Sequence, residues 1–520
     1  MNTDDTAAPA AEFNYADYLF GLNRDRAGKI AYIDDQGTLS YGDLEQRARR
    51  LAQALLDAGI QREQRVLLLM HDCNDWPVAF LGSMFAGIVP VAVNTLLTAD
   101  DYLYMLQNSR ARAVLVSNAL LPTLRAALQA GAHEVDTVLV SRVEGQLQEG
   151  EQDLQTCLQA EPMAQAAATG ADDIGFWLYS SGSTGKPKGT VHTHANPYWS
   201  SKLYGEEVVG IGEQDICFSA AKLFFAYGLG NALTFPLSVG ATSVLLAGRP
   251  TPDIIYQRLR EHQATIFFGA PTGYVAMLAA ADLPAPDTLA LRLAVSAGEA
   301  LPAELAQRFT RHFGIDVIDG IGSTEMLHIY ISNRPGAVRY GSSGTPVPGY
   351  DIELRGEDGQ AVADGEIGDL YVRGPSAAIM YWNNRAKSLG TFQGEWTKSG
   401  DKYVRNDDGS YTCSGRSDDM LRVSGMYVSP FEVEATLAEH AAVLESAVIG
   451  KTDAEGLVKS KAFVVLGEGQ QASADELKNF VKERLAPYKY PRYIEFVDEL
   501  PKTATGKIQR FRLRELEAGK

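Results

Sequence analysis

A run of glycines, hydroxylated side chains and lysines at residues 179–189 (Tyr-Ser-Ser-Gly-Ser-Thr-Gly-Lys-Pro-Lys-Gly) has the composition of a phosphate-binding loop. Glycines let a backbone approach phosphate oxygens closely, and successive N–H groups and hydroxyls then surround those oxygens. Lys186 and Lys188 supply positive charge for a polyphosphate. Glycine- and serine-rich runs also occur in flexible linkers, but here an apolar run at 174–179 precedes the loop and Val191 resumes apolar character. We therefore predict a phosphate site that follows a buried strand.

The spacing within this run differs from that of the Walker A loop. A Walker A motif places four residues between its glycines and a serine or threonine directly after its lysine. Gly182 and Gly185 are too close together for that pattern, and Pro187 follows Lys186. A P-loop phosphotransferase is therefore disfavoured, although the loop still predicts binding of a polyphosphate.

The composition is typical of a large globular protein. The chain has 520 residues, of which 45% are hydrophobic and 22% charged, so two or more domains are expected. The formal net charge is −18 and no long basic run is present, which disfavours general binding of nucleic acid or of anionic membranes. The four cysteines form no CxxC pair, so we expect reduced thiols and neither a disulfide framework nor a zinc site.

We expect neither a signal peptide nor a membrane span. Residues 1–15 have no basic region followed by an apolar core. The uncharged stretch 76–99 has the length of a membrane span, but prolines, glycines and Asn94 interrupt it. We predict a buried helix and then a buried strand in this stretch, and a cytoplasmic protein.

The apolar pattern predicts layered α/β units. Residues 40–59 form an amphipathic helix with Ser40 as its N-cap. Helical patterns alternate with short apolar runs, which predicts parallel sheets. The predicted strands are residues 65–70, 89–93, 113–117, 215–220, 241–246, 264–268 and 291–296. From residue 341 onward, short β runs separated by Asp-Gly turns predict a small β subdomain. The last hundred residues form a separate small pattern, with helices near 430–440 and 473–485.

Several stretches, in their order and approximate spacing, resemble the motifs of the adenylate-forming superfamily, which holds acyl-CoA synthetases, firefly-type luciferases and peptide-synthetase adenylation domains. Besides the loop already described, the matching stretches are 296–302 (SAGEALP), 319–325 (DGIGSTE), 399–401 (SGD), 415–419 (GRSDD) and 501–507 (PKTATGK). The resemblance implies an α/β fold. A large N-terminal domain would hold layered parallel α/β subdomains and a small β subdomain, and a small, mobile α+β domain would follow.

The resemblance also implies a site for ATP and Mg²⁺. Glu325 would hold Mg²⁺ together with phosphate oxygens, and Thr324 would contact the α-phosphate. A hard cation that keeps most of its waters needs only one or two protein carboxylates, so one glutamate suffices. Taken singly, each stretch could be an ordinary turn or a solvated helix start. The implied ATP-binding residues are Ser180, Ser181, Gly182, Ser183, Thr184, Lys188, Gly298, Glu299, Ala300, Asp319, Gly320, Ile321, Asp401 and Arg416, the last two on the ribose.

A hinge and a catalytic lysine follow from the same resemblance. Asp418 falls at the superfamily's hinge, which implies an N-terminal domain of residues 1–417 and a C-terminal domain of residues 418–520. Lys507 would reach the ATP site and bridge the acyl carboxylate and the α-phosphate. Acetylation would remove its charge, so a lysine acetyltransferase and a deacetylase are candidate partners.

The stretch 222–230 (KLFFAYGLG) resembles the lining of the superfamily's acyl pocket. A flat slot between small residues and aromatic or aliphatic faces suits a benzene ring, although plain core packing is the alternative for each aromatic residue. An amino-acid substrate would need an acidic residue to bind its α-ammonium group, and none of the pocket positions is acidic. The implied acid-binding residues are Phe225, Ala226, Tyr227, Gly228, Gly322, His328 and Ile329, and the implied CoA tunnel comprises Phe225, Ser424, Gly425, Met426 and Tyr427. His192 and His194 are interpreted as structural.

Among the superfamily's members, the match is most similar to its benzoate-activating CoA ligases. It implies that benzoate, ATP and CoA give benzoyl-CoA, AMP and pyrophosphate through benzoyl-AMP, with rotation of the C-terminal domain between the half-reactions. Three alternatives stay open: a ligase for a substituted benzoate, a stand-alone aryl-acid adenylation enzyme that loads a carrier protein, and a homologue that only binds nucleotide. The protein is expected to be a monomer or a homodimer.

Overall fold

The computed structural model describes residues 8–182, 185–416, 419–423, 426–453, 457–486, 488–502 and 508–518. Within these ranges it gives the backbone alone at Ser181, Gly182, Gly185, Arg422, Met426 and Tyr427. The described chain folds into two large sheets with connecting helices, a smaller antiparallel sheet, and a C-terminal part with its own small sheets and helices.

A nine-stranded sheet contains strands from the first and the middle parts of the chain. Its central strands, from Val317–Gly322 to Ile30–Asp34, pair in parallel, and antiparallel strands complete both edges. In spatial order its strands are Thr345–Pro346, Ile329–Ser332, Val317–Gly322, Leu293–Ala297, Ile266–Gly269, Ile216–Ser219, Thr242–Val244, Ile30–Asp34 and Gly37–Ser40.

An eight-stranded sheet carries the glycine-rich run. Four of its parallel strands, 65–69, 89–92, 111–117 and 137–141, are rich in valine and leucine and almost fully buried, as expected for a sheet covered on both faces. In spatial order the strands are Met380–Tyr381, Gly185–Thr193, Ile174–Gly182, Val89–Ala92, Arg65–Leu69, Ala111–Ser117, Thr137–Ser141 and Glu151–Asp153.

The helix predicted at residues 40–59 is observed at Tyr41–Asp57. The Ser40 side chain accepts a hydrogen bond from the Asp43 backbone N–H, as an N-cap should. The neighbouring helix Asp75–Phe85 is buried along its whole length, and strand Val89–Ala92 follows it. The helix-then-strand interpretation of residues 76–99 is therefore confirmed, and no described helix is long and apolar enough to cross a membrane.

The remaining helical segments connect the strands or cap the C-terminal part. The other α-helices are Tyr15–Leu22, Ala99–Ser109, Leu121–Ala130, Leu154–Cys157, Ala195–Ser200, Ala226–Leu229, Phe235–Val239, Pro252–His262, Pro271–Leu278, Ala303–Phe313, Arg385–Thr391, Pro430–Ala438, Ala474–Lys482 and Arg510–Ala518. Short 3₁₀ turns lie at Arg24–Arg26, Asn118–Leu120, Pro286–Thr288 and Thr324–Met326, and π-helical segments at Ser201–Val209 and Gly230–Thr234.

The small β subdomain predicted from residue 341 onward is an antiparallel sheet. Its strands are Asp351–Arg355, Ile367–Arg373, Phe392–Gln393, Trp396–Arg405 and Tyr411–Arg416. The C-terminal part contains the ribbon Leu421–Val423 and Met426–Val428, and a three-stranded sheet of Val443–Thr452, Val458–Leu466 and Tyr493–Phe496. The predicted fold class, layered parallel α/β sheets with a small β sheet and a smaller C-terminal domain, is confirmed.

The predicted strands are all present, with boundaries that differ by a few residues. One local arrangement was not predicted. Residues after the glycine-rich run continue as strand Gly185–Thr193, antiparallel to Ile174–Gly182, so the run forms the end of a hairpin. Every one of the four cysteines is a free thiol, as expected.

Candidate active site

The hairpin that carries the glycine-rich run brings Lys188 opposite Ser180. Lys188 is partly buried, and its ammonium lies 4.4 Å from the centre of the Tyr381 ring, within the range of a cation–π interaction. Burial lowers the pKa of Lys188, and the nearby Glu325 carboxylate opposes that effect. The predicted phosphate-binding positions whose side chains lie outside the described part are Ser181, Gly182, Ser183 and Thr184.

Lys186 differs from Lys188 in its surroundings. Its side chain is exposed, and its ammonium lies 4.6 Å from the centre of the Tyr104 ring. Of the two lysines in the run, Lys188 is therefore the one directed toward the acidic side of the site.

The 3₁₀ turn Thr324–Met326 presents Glu325 beside the hairpin. The Tyr381 hydroxyl donates a 2.7 Å hydrogen bond to Oε1 of Glu325. The Ala378 backbone N–H donates to the Glu325 carbonyl at 2.7 Å, and the Ser376 hydroxyl donates to the Met326 carbonyl at the same distance. Segment 376–381 therefore holds both the backbone and the side chain of the turn.

His192 supports the other side of this turn. Burial lowers the pKa of His192 to about 4, so the imidazole is neutral at physiological pH. Its Nε2 lies 2.8 Å from the Thr324 carbonyl, and its Nδ1 lies 2.8 Å from the Asn196 amide nitrogen. A neutral ring that donates through Nε2 and accepts through Nδ1 satisfies both contacts. This placement agrees with the structural role predicted for His192.

Asp401 and Arg416 face each other on neighbouring strands of the small antiparallel sheet. Arg416 donates from Nη1 to Oδ1 of Asp401 at 2.9 Å. Burial raises the pKa of Asp401 and the Arg416 guanidinium opposes that rise. The pair thus presents an acceptor and a donor at one place, and both residues are predicted to contact the same ribose.

The turn after strand Leu293–Ala297 begins at Gly298, whose φ of +99° is in the region that favours glycine. Next to it, Ser296 is paired with Asp319 in the sheet. Asp319 is only 6% exposed, and burial raises its pKa well above the usual range. Burial therefore disfavours the charged form of this carboxyl in the predicted nucleotide site.

Glu299, two residues after that strand, contacts the end of the chain. Its Oε1 accepts a 3.2 Å hydrogen bond from the backbone N–H of Ile508. Ile508 directly follows Lys507, and it also forms an isolated β-bridge with Lys502. Ile508, the residue after the predicted catalytic lysine, therefore contacts the turn predicted to bind adenine. Lys507 itself lies outside the described residues.

His328 and Tyr227 form the polar part of the predicted acid pocket. Burial lowers the pKa of His328 to about 3, so the ring is neutral. Its Nε2 lies 3.3 Å from the Tyr227 carbonyl and 3.2 Å from Oδ1 of Asn231, which assigns the proton to Nε2. The Tyr227 hydroxyl donates to the carbonyls of Gly269 and Val295 at 3.2 and 3.1 Å. Both side chains are thus held in fixed orientations.

Small residues pack closely against this histidine. A Cβ on Gly322 would lie 2.5 Å from the His328 carbonyl oxygen, and a Cβ on Gly230 would lie 2.3 Å from the imidazole. Ala226 and Ile329 are buried, and Phe225 is partly buried with its ring 4.4 Å from that of Phe224. Neutral, apolar and small groups thus surround His328, a composition that accepts an uncharged ring.

The structure describes only some residues of the predicted hinge and CoA tunnel. Asp418, Ser424 and Gly425 lie outside the described residues, and Met426 and Tyr427 are described by their backbone alone, in strand Met426–Val428. After the predicted hinge, charged groups of the C-terminal part pair with one another. Arg514 donates to Asp419 at 2.7 Å, and Arg510 donates to Glu434 at 2.6 Å.

Glu325 is the predicted ligand of Mg²⁺. Its Oε1 accepts from Tyr381, whereas its Oε2 has no hydrogen-bond partner within the part of the chain that the structure describes. Among those residues, no cluster of three or more histidine, cysteine, aspartate or glutamate side chains could hold a metal. A single carboxylate with one available oxygen fits a Mg²⁺ ion that is held mainly by phosphate and water.

Sequence reasoning missed Tyr381 and assigned no contact to His192. The Tyr381–Glu325 contact joins residues 56 positions apart, and the His192–Thr324 contact joins residues 132 positions apart. Tyr381 stands in the short run 380–384 (MYWNN), whose pattern carries no chemical signal of its own. The pairing of Tyr381 with Thr190 in the sheet brings it to the site.

Comparison with known protein families gives two matches. Residues 22–382 match the AMP-binding enzyme family, and residues 432–507 match the AMP-binding enzyme C-terminal domain. Together the two matches cover most of the chain, and the second ends at Lys507.

Three relatives are similar over nearly their whole length. A benzoate–CoA ligase of Thauera aromatica is 53% identical over 99% of this chain and 98% of its own. A 4-hydroxybenzoate–CoA/benzoate–CoA ligase of Rhodopseudomonas palustris is 49% identical over 95% and 92%. The crystal structure of a benzoate CoA ligase from Burkholderia xenovorans superposes with a TM-score of 0.91 at 59% identity, over 96% of this chain and all of that one.

Proposed function

The chain belongs to the AMP-binding enzyme family, and from this premise we propose that it is an ATP-dependent aryl-CoA ligase. It would convert benzoate, ATP and CoA into benzoyl-CoA, AMP and pyrophosphate through benzoyl-AMP. The observation that carries the proposal is the near full-length similarity to benzoate–CoA ligases.

The first half-reaction makes the carboxylate reactive. A carboxylate is a poor electrophile because its charge repels a nucleophile and it has no good leaving group. In the proposed step one of its oxygens attacks the α-phosphorus of ATP, and pyrophosphate leaves. Catalysis of such a step depends on positioning and on charge neutralisation. Lys188 and the hairpin around it would hold the departing phosphates, and Lys507 would bridge the carboxylate and the α-phosphate.

Different residues are predicted to position different parts of the nucleotide. Thr324 would contact the α-phosphate, Asp401 and Arg416 the ribose, and the turn at Gly298 the adenine. Mg²⁺, when bound, supplies positive charge that offsets the phosphate oxygens, and Glu325 would be its protein ligand. The contact between Lys188 and Tyr381, and that between Tyr381 and Glu325, support a shared role of these residues at the phosphates.

The second half-reaction transfers the acyl group. The CoA thiol would attack the carbonyl carbon of benzoyl-AMP, and AMP would leave with the bonding electrons of the mixed anhydride. We propose residues 1–417 and 418–520 as the two domains, with Asp418 as the hinge about which Lys507 withdraws. Residues 424–427 and Phe225 would then line the path of the thiol.

The choice of an aromatic acid is supported by the surroundings of His328. The ring is neutral, it is held by Asn231 and the Tyr227 carbonyl, and aromatic rings of Tyr204 and Phe235 pack on it at 5.1 and 4.5 Å. A planar, uncharged substrate ring would lose little hydration on entering such surroundings. Benzoate is therefore proposed as the preferred acid, ahead of acids that carry a second charge and of long aliphatic acids.

The proposal is tested with purified protein, ATP, Mg²⁺ and benzoate, by following pyrophosphate release with and without CoA. Rapid formation of benzoyl-CoA supports the ligase. Benzoyl-AMP that free CoA does not discharge would instead support carrier loading, and no pyrophosphate release would support a nucleotide-binding homologue. A panel of hydroxybenzoates, halobenzoates, cyclohexanecarboxylate and short fatty acids then ranks the acids. A higher kcat/KM for a substituted benzoate than for benzoate would overturn the substrate assignment alone.

Three further points belong to this proposal. The ligase would act in the cytoplasm as a monomer or a homodimer, and acetylation of Lys507 would switch off the first half-reaction. Gel filtration with light scattering measures the oligomeric state. Mass spectrometry of protein from its native cells measures acetylation.

A further inference from the structure

Tyr381 contacts two functional side chains of the nucleotide site at once. Its hydroxyl donates to Oε1 of Glu325 at 2.7 Å, and its ring lies under the Lys188 ammonium at 4.4 Å from the ring centre. The side chain is only 3% exposed, so both contacts are shielded from solvent. Hydrogen bonds to an ionised acceptor are shorter and stronger than neutral ones. A buried tyrosine thus links the predicted metal carboxylate to a predicted phosphate-binding lysine.

The position of Tyr381 is set by independent contacts. It pairs with Thr190 in the eight-stranded sheet, two residues from Lys188. The Tyr381 backbone N–H donates to the Ser388 hydroxyl at 3.0 Å, and its ring packs on that of Phe392 at 5.2 Å. The tyrosine is therefore part of a rigid framework, and its two partners are not needed to hold it.

The Tyr381 hydroxyl bonds to only one of the two carboxylate oxygens of Glu325. With Oε1 engaged by Tyr381, the side-chain torsion of Glu325 is restricted, and Oε2 has no hydrogen-bond partner among the described residues. Without the hydroxyl, the carboxylate could rotate, and Lys188 and Glu325 could approach each other more closely. A direct ion pair between them would compete with both the cation and the phosphates.

We propose that Tyr381 is a positioning residue of the nucleotide site: it orients Glu325 for a magnesium ion brought by ATP and holds Lys188 beside the phosphates. The inference rests on the proposed function, since it assumes a magnesium–nucleotide substrate. It assigns Tyr381 no contact with the substrate itself.

The test uses Tyr381→Phe, which removes the hydroxyl and keeps the ring. Thermal unfolding is recorded for the free protein and with a non-hydrolysable ATP analogue at increasing Mg²⁺. We expect the free protein to unfold within a few degrees of wild type, and the Mg²⁺ concentration that gives half of the analogue-induced shift to rise about tenfold. Tyr256→Phe is the matched control, because the Tyr256 hydroxyl is also buried and donates to a carbonyl, that of Met277, at 2.9 Å away from the site.

A second variant separates positioning from a general loss of structure. In a Glu325→Gln background, adding Tyr381→Phe should not change the Mg²⁺ dependence further, because coupled residues are non-additive. An unchanged Mg²⁺ midpoint in Tyr381→Phe overturns the inference, as does an equal further change in the Glu325→Gln background. If the analogue and Mg²⁺ do not stabilise even the wild-type protein, the proposed function itself fails.

Discussion

The Ile508 backbone N–H donates a 3.2 Å hydrogen bond to Oε1 of Glu299. Glu299 lies in the turn after a central strand of the nine-stranded sheet, whereas Ile508 lies near the end of the chain and directly follows Lys507. Burial lowers the pKa of Arg510, two residues further on, but nearby carboxylates raise it overall. Glu434 is the strongest of these, and Glu299 also contributes. Glu299 thus links the turn after this strand to Ile508, the residue that follows the predicted catalytic lysine.

Replacing Glu299 by alanine should slow the first half-reaction about tenfold. A hydrogen bond to a charged acceptor contributes about 1.5–3 kcal/mol, and part of that energy is available to hold the lysine segment in place. Pyrophosphate release in a single turnover measures this step, and benzoyl-CoA formation from supplied benzoyl-AMP should be unchanged. Glu304→Ala is the control, because this nearby, half-exposed glutamate pairs with Arg311. A raised KM for ATP with an unchanged rate at saturation would show that Glu299 binds nucleotide instead.

Replacing Lys507 by alanine should reduce benzoyl-AMP formation by about 10²–10³-fold, the cost of losing one preorganised charged donor in a catalytic site. Thioester formation from supplied benzoyl-AMP should persist, because the lysine is assigned to the first step alone. Acetylated Lys507 should behave in the same way, since acetylation removes the charge. Lys502→Ala is the matched control, because Lys502 lies in the same segment and pairs with Glu445 at 2.6 Å. An undiminished rate of benzoyl-AMP formation would contradict the role of Lys507.

Replacing Gly322 by alanine should weaken benzoate binding more than ATP binding. The new methyl carbon would lie 2.5 Å from the His328 carbonyl oxygen and 2.7 Å from its carbonyl carbon, so the backbone that carries His328 must move. We expect the KM for benzoate to rise at least about tenfold, a cost of about 1.4 kcal/mol. The control is Gly273→Ala, in helix Pro271–Leu278, where the added carbon has no atom within 4 Å. Equal changes in both KM values would place the effect outside the acid pocket.

The fold could be predicted from the sequence to the extent that it depends on local patterns. The apolar runs and the Ser40 cap signal located the strands and the helix Tyr41–Asp57, because burial on a sheet and N-capping are encoded within a few residues. The hairpin at the glycine-rich run was not predicted, since Gly185–Thr193 (GKPKGTVHT) has Val191 as its one apolar side chain besides proline. Its pairing with Ile174–Gly182 is set by the sheet as a whole.

The candidate site could be predicted only where a motif carries its chemistry in adjacent residues. Lys188 and Glu325 were identified in this way, and the structure brings them to the same tyrosine. Tyr381 was missed because a tyrosine in the run 380–384 has no distinguishing neighbours, and its contacts depend on a strand pairing 191 residues away along the chain (381 − 190). The support that His192 gives to the Thr324 carbonyl was missed for the same reason.

The buried, neutral His194 should make stability depend on pH. Its Nδ1 accepts a 3.2 Å hydrogen bond from the Tyr15 backbone N–H, and burial lowers its pKa to about 4. The unfolded chain protonates this imidazole near pH 6.5, whereas the folded chain does so only near pH 4. The contribution of neutral His194 to the free energy of unfolding is therefore fully present above pH 6.5 and is lost as the pH falls.

Asparagine at position 194 keeps a hydrogen-bond acceptor and cannot titrate. From pH 6.5 to pH 4, the free energy of unfolding of the wild type should therefore fall relative to that of His194→Asn by up to about 1.4 kcal/mol per pH unit. Urea unfolding at pH 7.5, 6 and 5 measures the difference. His133→Asn, at an exposed histidine, is the control. Parallel pH profiles for the wild type and His194→Asn would mean that folding does not lower the pKa of His194.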